Sequence, residues 1–315
     1  MTETTLTTTT TTCRARTTFP WQGMLRDSVT FTDHGNYAAG TLVAVTGATE
    51  GGFSVRVGRV QDPPGEPAVT GSVTRAQVDE ALGAVIEERL LGNENISWDN
   101  DGSWKKLRYV ATQDFMLTEQ ENGEPPKHAM CYQGERLNAS LDNGTYYVRK
   151  NGVLGSVGAD QLSFDASIPP STSNVSLICY EFGMYAAALA GLCPNFARLP
   201  ATRAGDAGGY WVRAAGGTLS EKAGPKTIAG LTLQRGDFVL FYRDRGADSS
   251  EHTAYATGDA QGLYSLWGTQ GLHPVVTDIS VLCSLCRPGD TGKVYVRTAT
   301  PGWHRSPTVP APDPS

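Results

Sequence analysis

Three apolar runs in the C-terminal half do most to limit what this chain can fold into. Residues 238–242, 252–257 and 263–268 are short and rich in β-branched and aromatic side chains, and polar or glycine-bearing turns separate them. Runs of that length and spacing fold as neighbouring antiparallel strands, so the segment is expected to be a three-stranded meander. Gly236-Asp237 opens the first strand, and His252 stands at the head of the second.

Composition agrees with a sheet-dominated chain. Charged residues make up 18% of the 315 positions, against 36 glycines and 18 prolines, a balance that favours strands and turns over long surface helices. The length suits one large domain or two small ones, and two are expected. A formal charge of −6 without a basic stripe argues against a nucleic-acid partner. No stretch is long and apolar enough to span a bilayer, so no membrane partner is expected. The threonine-rich start lacks the basic head and apolar middle of a secretory signal, so the chain reads as cytoplasmic when made, with any export by a route the sequence does not reveal.

Six cysteines, at 13, 131, 179, 193, 283 and 286, are too sparse for a disulfide framework and fit a reducing compartment. Cys283-Ser284-Leu285-Cys286 is a single CxxC with no second pair nearby, so buried thiols are expected rather than a metal site, a local disulfide being the alternative. No cofactor is implied.

Residues 1–18 and 306–315 carry too few apolar groups to offset the entropy of ordering and read as disordered ends. Between them, 19–165 reads as a β-rich domain with one helix, and 166–305 as a second domain after a turn-rich boundary at 165–174. Strands are expected at 40–46, 52–60, 107–111 and 144–149, the last followed by a Lys150-Asn151-Gly152 turn. Thr74 and Gln77 have capping-box spacing. With Val78, Leu82, Val85, Ile86 and Leu90 at helical intervals and Gly92 as a stop, they predict a helix over 75–91.

Cys179 begins a small-residue apolar helix ended by Gly191. The positive end of a helix dipole favours the thiolate that attacks carbonyl carbon. A lone cysteine beside alanines is more often core filling, and Glu181 would oppose the thiolate if it faced the sulfur. His252 shifts the balance, because an imidazole at the edge of a sheet can lean over a helix N-terminus, accept the thiol proton and return it to a leaving amine. Trp267 and Tyr255 read as core aromatics, and His128, His273 and His304 as surface residues. Cys193, before Pro194, lies at the far end of the helix, a poor substitute nucleophile.

The helix-borne Cys179, Gly236-Asp237 before an apolar strand, the strand from His252 through Tyr255 to Gly258, and the closing run Val294-Tyr295-Val296-Arg297 resemble NlpC-type papain-like cysteine peptidases over roughly 170–300. The resemblance implies an α+β, papain-like domain, its helix-borne cysteine packed on an antiparallel sheet, with Cys179 as nucleophile and His252 as base. It also implies a third polar residue on the next strand to orient the ring. Tyr264, Ser265, Gln270 and His273 are candidates, and Ser265 is chosen because its strand pairs with that of His252. Ile178 and Tyr180 stand where the family has aspartate and serine, so substrate preference does not carry over.

The implied activity is hydrolysis of an amide bond in a peptide or small acyl molecule through an acyl-enzyme. The oxyanion would be held by the Cys179 amide and a second donor. Acyl transfer or deamidation by the same dyad, in a biosynthetic enzyme or a delivered effector, and a catalytically inactive binding scaffold are the alternatives.

Overall fold

The computed structural model describes residues 16–60, 62, 68–98, 108–121, 123–142, 145–164, 175–177, 179–192, 218–222, 233–243, 250–259, 262–286 and 294–304. The leader up to residue 15, the tail, the boundary at 165–174, and Cys13 and Cys193 lie outside the described residues. What is described is mostly antiparallel sheet with few helices, an α+β chain.

The first part of the chain contributes β1 (Trp21–Leu25), β2 (Val29–Phe31), β3 (Gly35–Tyr37), β4 (Leu42–Ala48), β5 (Gly52–Val57), β6 (Thr70–Thr74) and β7 (Val78–Glu80). Five of these form a sheet in the order β6-β5-β4-β1-β7, and β2 pairs with β3. Alternate residues Val43 and Val45, Phe53 and Val55 turn inward onto Trp21, as period-2 patterning requires.

The expected helix is shorter than its sequence signals. Gln77 Oε1 accepts from the Thr74 amide at 2.9 Å and the Gln77 amide donates back to the Thr74 carbonyl at 3.1 Å, so the capping-box pair closes a turn between β6 and β7. Val78 to Glu80 then pair with β1. Only after that ladder does α1 (Ala81–Val85) begin, continued by a wider turn over Ile86–Leu90. The buried Glu80 carboxylate caps it, accepting from the Leu82 and Gly83 amides at 3.2 and 2.7 Å. The stripe Leu82, Val85, Ile86 and Leu90 is buried, and Gly92 supplies the left-handed stop at φ 67°.

The middle of the chain adds β8 (Ile96–Trp98), β9 (Arg108–Ala111), β10 (Phe115–Glu119), β11 (Lys127–Cys131), β12 (Arg136–Asp142), β13 (Thr145–Lys150), β14 (Val153–Val157) and β15 (Leu162–Phe164). Here the sheet order is β14-β13-β12-β9-β15, with β10 and β11 as a separate hairpin. Asn151 and Gly152, at φ 50° and 79°, make the tight turn that joins β13 to β14.

The last part holds β16 (Val175–Leu177), α2 (Cys179–Leu189), β17 (Thr218–Lys222), β18 (Phe238–Tyr242), β19 (His252–Ala256), β20 (Gly262–Ser265), β21 (Val275–Asp278), α3 (Ile279–Leu285) and β22 (Tyr295–Thr300). The expected meander is β18-β19-β20. It sits inside a six-stranded sheet ordered β17-β22-β18-β19-β20-β21. Strand alternation divides its side chains cleanly. Phe238, Leu240, Tyr242, Tyr255 and Tyr264 belong to the core that contains α2, whereas Val239, Phe241, Ala254, Ala256 and Leu263 belong to the core that contains α3.

The core on the α2 side does not stop at the middle of the chain. Ala81, Leu82, Tyr109 and Tyr146 share it with Phe182, Tyr185, Tyr255 and Trp303. Arg16, within the stretch expected to be a disordered leader, is also buried and pairs with Asp237 Oδ1 at 2.5 Å.

α2 docks on β19 through Gly183, where an added Cβ would fall 1.9 Å from the Tyr255 ring. Gly183→Ala is therefore expected to cost about 1–3 kcal/mol or more through overpacking, read as a lowered urea midpoint.

Candidate active site

Cys179 is the first residue of α2 and is half-buried, while Phe182, Tyr185, Ala186 and Ala187 anchor the helix in the core. The Tyr255 hydroxyl donates to the Cys179 carbonyl at 3.5 Å, tying the head of the helix to β19. The first-turn amides of α2 lack carbonyl partners within the helix, leaving donors and partial positive charge near the thiol. Glu181 is buried, and its charge adds to the burial that pushes the Tyr109 phenol up.

His252 is fully buried at the start of β19. Its Nε2 lies 2.9 Å from Ser265 Oγ. Ser265 in turn donates to Gln270 Oε1 at 2.8 Å, and Gln270 Nε2 donates to Thr277 Oγ1 at 2.8 Å. Trp267 stacks on the imidazole, with centroids 4.4 Å apart and planes 14° from parallel. Phe241 closes another side at 5.9 Å. Nδ1 is buried with no hydrogen-bond partner among the described residues. Burial pushes the ring pKa down to about 3.

Of the four candidates for the residue on the ring, the structure brings Ser265 to His252, with Gln270 one step behind. Tyr264 points to the opposite face and donates to Glu87 Oε1 at 2.5 Å. His273 is half-buried, its Nδ1 2.9 Å from the Ile96 carbonyl oxygen.

Cys179 and His252 are not in hydrogen-bonding contact. By strand alternation His252 shares the α3-facing side with Ala254 and Ala256, whereas Tyr255 and α2 occupy the other side. Burial pushes the Cys286 thiol up, and the charges of Cys283, Glu251 and Cys179 push it further in the same direction. The Tyr255 hydroxyl, three residues along β19 from His252, meets the Cys179 carbonyl, so the head of α2 lies over β19.

His304 corrects the expectation of a surface residue, because it is buried. The turn Gly302–His304 folds back on β1, so that Nδ1 accepts from the Gln22 amide at 2.7 Å and Nε2 lies 3.1 Å from Glu80 Oε1. His128 is exposed. Tyr255 is buried, and Trp267 is partly buried against the core that contains α3. Cys283 and Cys286 are buried thiols, not a disulfide. Among the described residues no cluster of three or more His, Cys, Asp or Glu side chains is placed to hold a metal ion, and no helix is long and apolar enough to cross a membrane.

The low His252 pKa has a signed consequence. The unfolded ring binds a proton below about 6.5, whereas the folded ring stays neutral down to about 3. Stability is thus undiminished by this group above 6.5 and falls as pH drops toward 3, by up to about 1.4 kcal/mol per unit. His304 acts with the same sign. Glu80, whose carboxyl burial pushes up to about 7, acts with the opposite sign, its folded form favoured by its proton below that pH. Subtracting the urea midpoints of His252→Gln from those of the parent between pH 7 and 4 should isolate the His252 slope, the parent falling faster.

No protein-family model and no curated protein matches the chain. Among solved structures, NlpC2 from Trichomonas vaginalis aligns with 91% of this chain and 99% of its own, at 11% identity and a TM-score of 0.22. NlpC1 from the same organism aligns with 85% of this chain and 91% of its own, at 9% identity and a TM-score of 0.18. Superpositions this loose bear on neither the fold nor the activity of this chain.

Proposed function

We propose that the chain is a thiol-dependent amide hydrolase of papain-like architecture, with Cys179 as nucleophile and His252 as general base. The observation that carries this reading is the setting of His252: an imidazole held by Ser265 and Trp267, with Nδ1 unmatched among the described residues, on the strand whose Tyr255 meets the head of α2. In this reading the Cys179 sulfur must reach His252 Nδ1.

The S–H proton then passes to Nδ1, and the thiolate adds to the carbonyl carbon. The oxyanion is stabilised by the Cys179 amide, and the imidazolium returns its proton to the departing amine. Water, activated by the same nitrogen, releases the acyl group. An amine in place of water would make the reaction a transfer.

The test uses p-nitrophenyl acetate. A burst of nitrophenol with one acetyl group mapped to Cys179, both absent in Cys179→Ala, is the expected result. Acetylation spread over other residues, or none at Cys179, would remove the hydrolase reading.

A further inference from the structure

We infer that Gln270 is a positioning residue of this site: through the Ser265 hydroxyl it fixes His252 as the Nε2–H tautomer and leaves Nδ1 as the basic nitrogen. The inference deepens the hydrolase reading and rests on it for its catalytic meaning, but the tautomer can be measured by itself.

The protons are fixed along one chain of contacts. Gln270 Oε1 can only accept, so the 2.8 Å contact with Ser265 Oγ is the serine O–H donating. A hydroxyl has one proton, and here it is committed. Toward His252, Ser265 Oγ therefore presents a lone pair, and the 2.9 Å contact requires a hydrogen on Nε2. A neutral imidazole carries one N–H, so Nδ1 is bare, which matches its lack of a donor or acceptor among the described residues.

At its far end the amide is tied to the sheet. Gln270 Nε2 donates to Thr277 Oγ1 at 2.8 Å, and Thr277 sits on β21 in register with Leu263 of β20. The Gln270 amide N–H also donates to the Trp267 carbonyl at 2.9 Å. One tight turn thus carries both the indole stacked on the ring and the amide that polarises it. Were the Gln270 side chain reversed, its NH₂ would donate to Ser265, the serine would donate to Nε2, and the ring proton would move to Nδ1. That tautomer has no lone pair left to take a thiol proton at that nitrogen.

In the forward direction the S–H bond breaks, Nδ1–H forms, and the resulting imidazolium keeps its Nε2–H on Ser265. The Trp267 face lies against the cation as it forms.

The experiment is two-bond ¹⁵N–¹H correlation of the histidine rings, with His252 assigned by its loss in His252→Gln. The expected spectrum at neutral pH is the Nε2–H pattern. In Gln270→Ala the freed serine proton turns to the ring, and most of the population should shift to Nδ1–H. Gln270→Glu, which keeps an acceptor for Ser265, should retain the parent pattern. An Nδ1–H ring in the parent overturns the inference without recourse to any variant, and so does an unchanged ring in a folded Gln270→Ala. If the tautomers behave as stated but p-nitrophenyl acetate gives no burst at Cys179, Gln270 still orients the ring and the hydrolase reading alone fails.

Discussion

Exchanging His252 for alanine should slow the acetylation of Cys179 by p-nitrophenyl acetate roughly 100- to 10,000-fold, the range expected when a positioned base is lost. The buried ring is neutral at pH 7, because burial pushes its pKa down to about 3, and so weak a base takes the thiol proton only as the thiolate formed beside it stabilises the imidazolium. Among the described residues its hydrogen-bond partners lie on the Nε2 side, where Ser265, Gln270 and Thr277 follow one another. Stopped-flow absorbance gives the burst rate, and tryptic mass mapping gives the modified residue. Cys131, Cys283 and Cys286, all buried, serve as internal references. A burst rate in His252→Ala equal to that of the parent would strip the ring of its assigned role.

Arg235→Ala should cost about 3–5 kcal/mol, the loss typical of breaking a buried pair from one side. The Arg235 side chain is 2% exposed, and its Nη2 lies 2.9 Å from both Asp79 Oδ2 and Glu87 Oε2. Nη1 donates to Glu87 Oε1 at 3.0 Å and to the Thr257 carbonyl at 3.1 Å, and it also bonds the Tyr264 hydroxyl. Removing the guanidinium leaves Asp79 buried with the partly exposed Arg26 as its remaining ion-pair partner among the described residues. Burial pushes the Glu87 carboxyl up, and at present hydrogen bonds from Arg235 and Tyr264 outweigh that push and hold it below its ordinary value. Arg235→Lys should recover little, since a single ammonium cannot serve two carboxylates and a carbonyl in one plane. Urea unfolding at pH 7 measures both variants. A loss below about 1 kcal/mol in Arg235→Ala would show that the cluster is not coupled in this way.

Much of this was legible in the residues. The meander could be read because its strands are short, alternate in pattern and are bounded by turn formers. The Asn151-Gly152 turn could be read because few other dipeptides accept two positive φ angles. The helix over 75–91 misled for a physical reason: a Thr and a Gln three apart can close a turn as readily as a capping box, and the ladder between β7 and β1 claimed Val78 to Glu80 first.

Ser265 was legible as a neighbour of His252 from strand pairing. The face occupied by the ring was also written in the sequence, since a period of two puts 252 with 254 and 256, and Tyr255 opposite. His304 was hidden because its burial depends on a turn folding back across some 280 residues onto the amide of Gln22. Arg235 was hidden for the same reason, its acidic partners lying about 150 residues upstream.

The apolar interior shared by Ala81, Tyr109, Phe182, Tyr255 and Trp303 bears on how such a chain could change over generations. A catalytic module that owns its interior can be cut out and spliced onto new neighbours. Here much of the wall behind α2 is lent by residues between 81 and 162, so a fragment starting at residue 175 would carry a sticky scar in place of that wall. Divergence would then have to proceed by remodelling loops and side chains in place, with both parts inherited together.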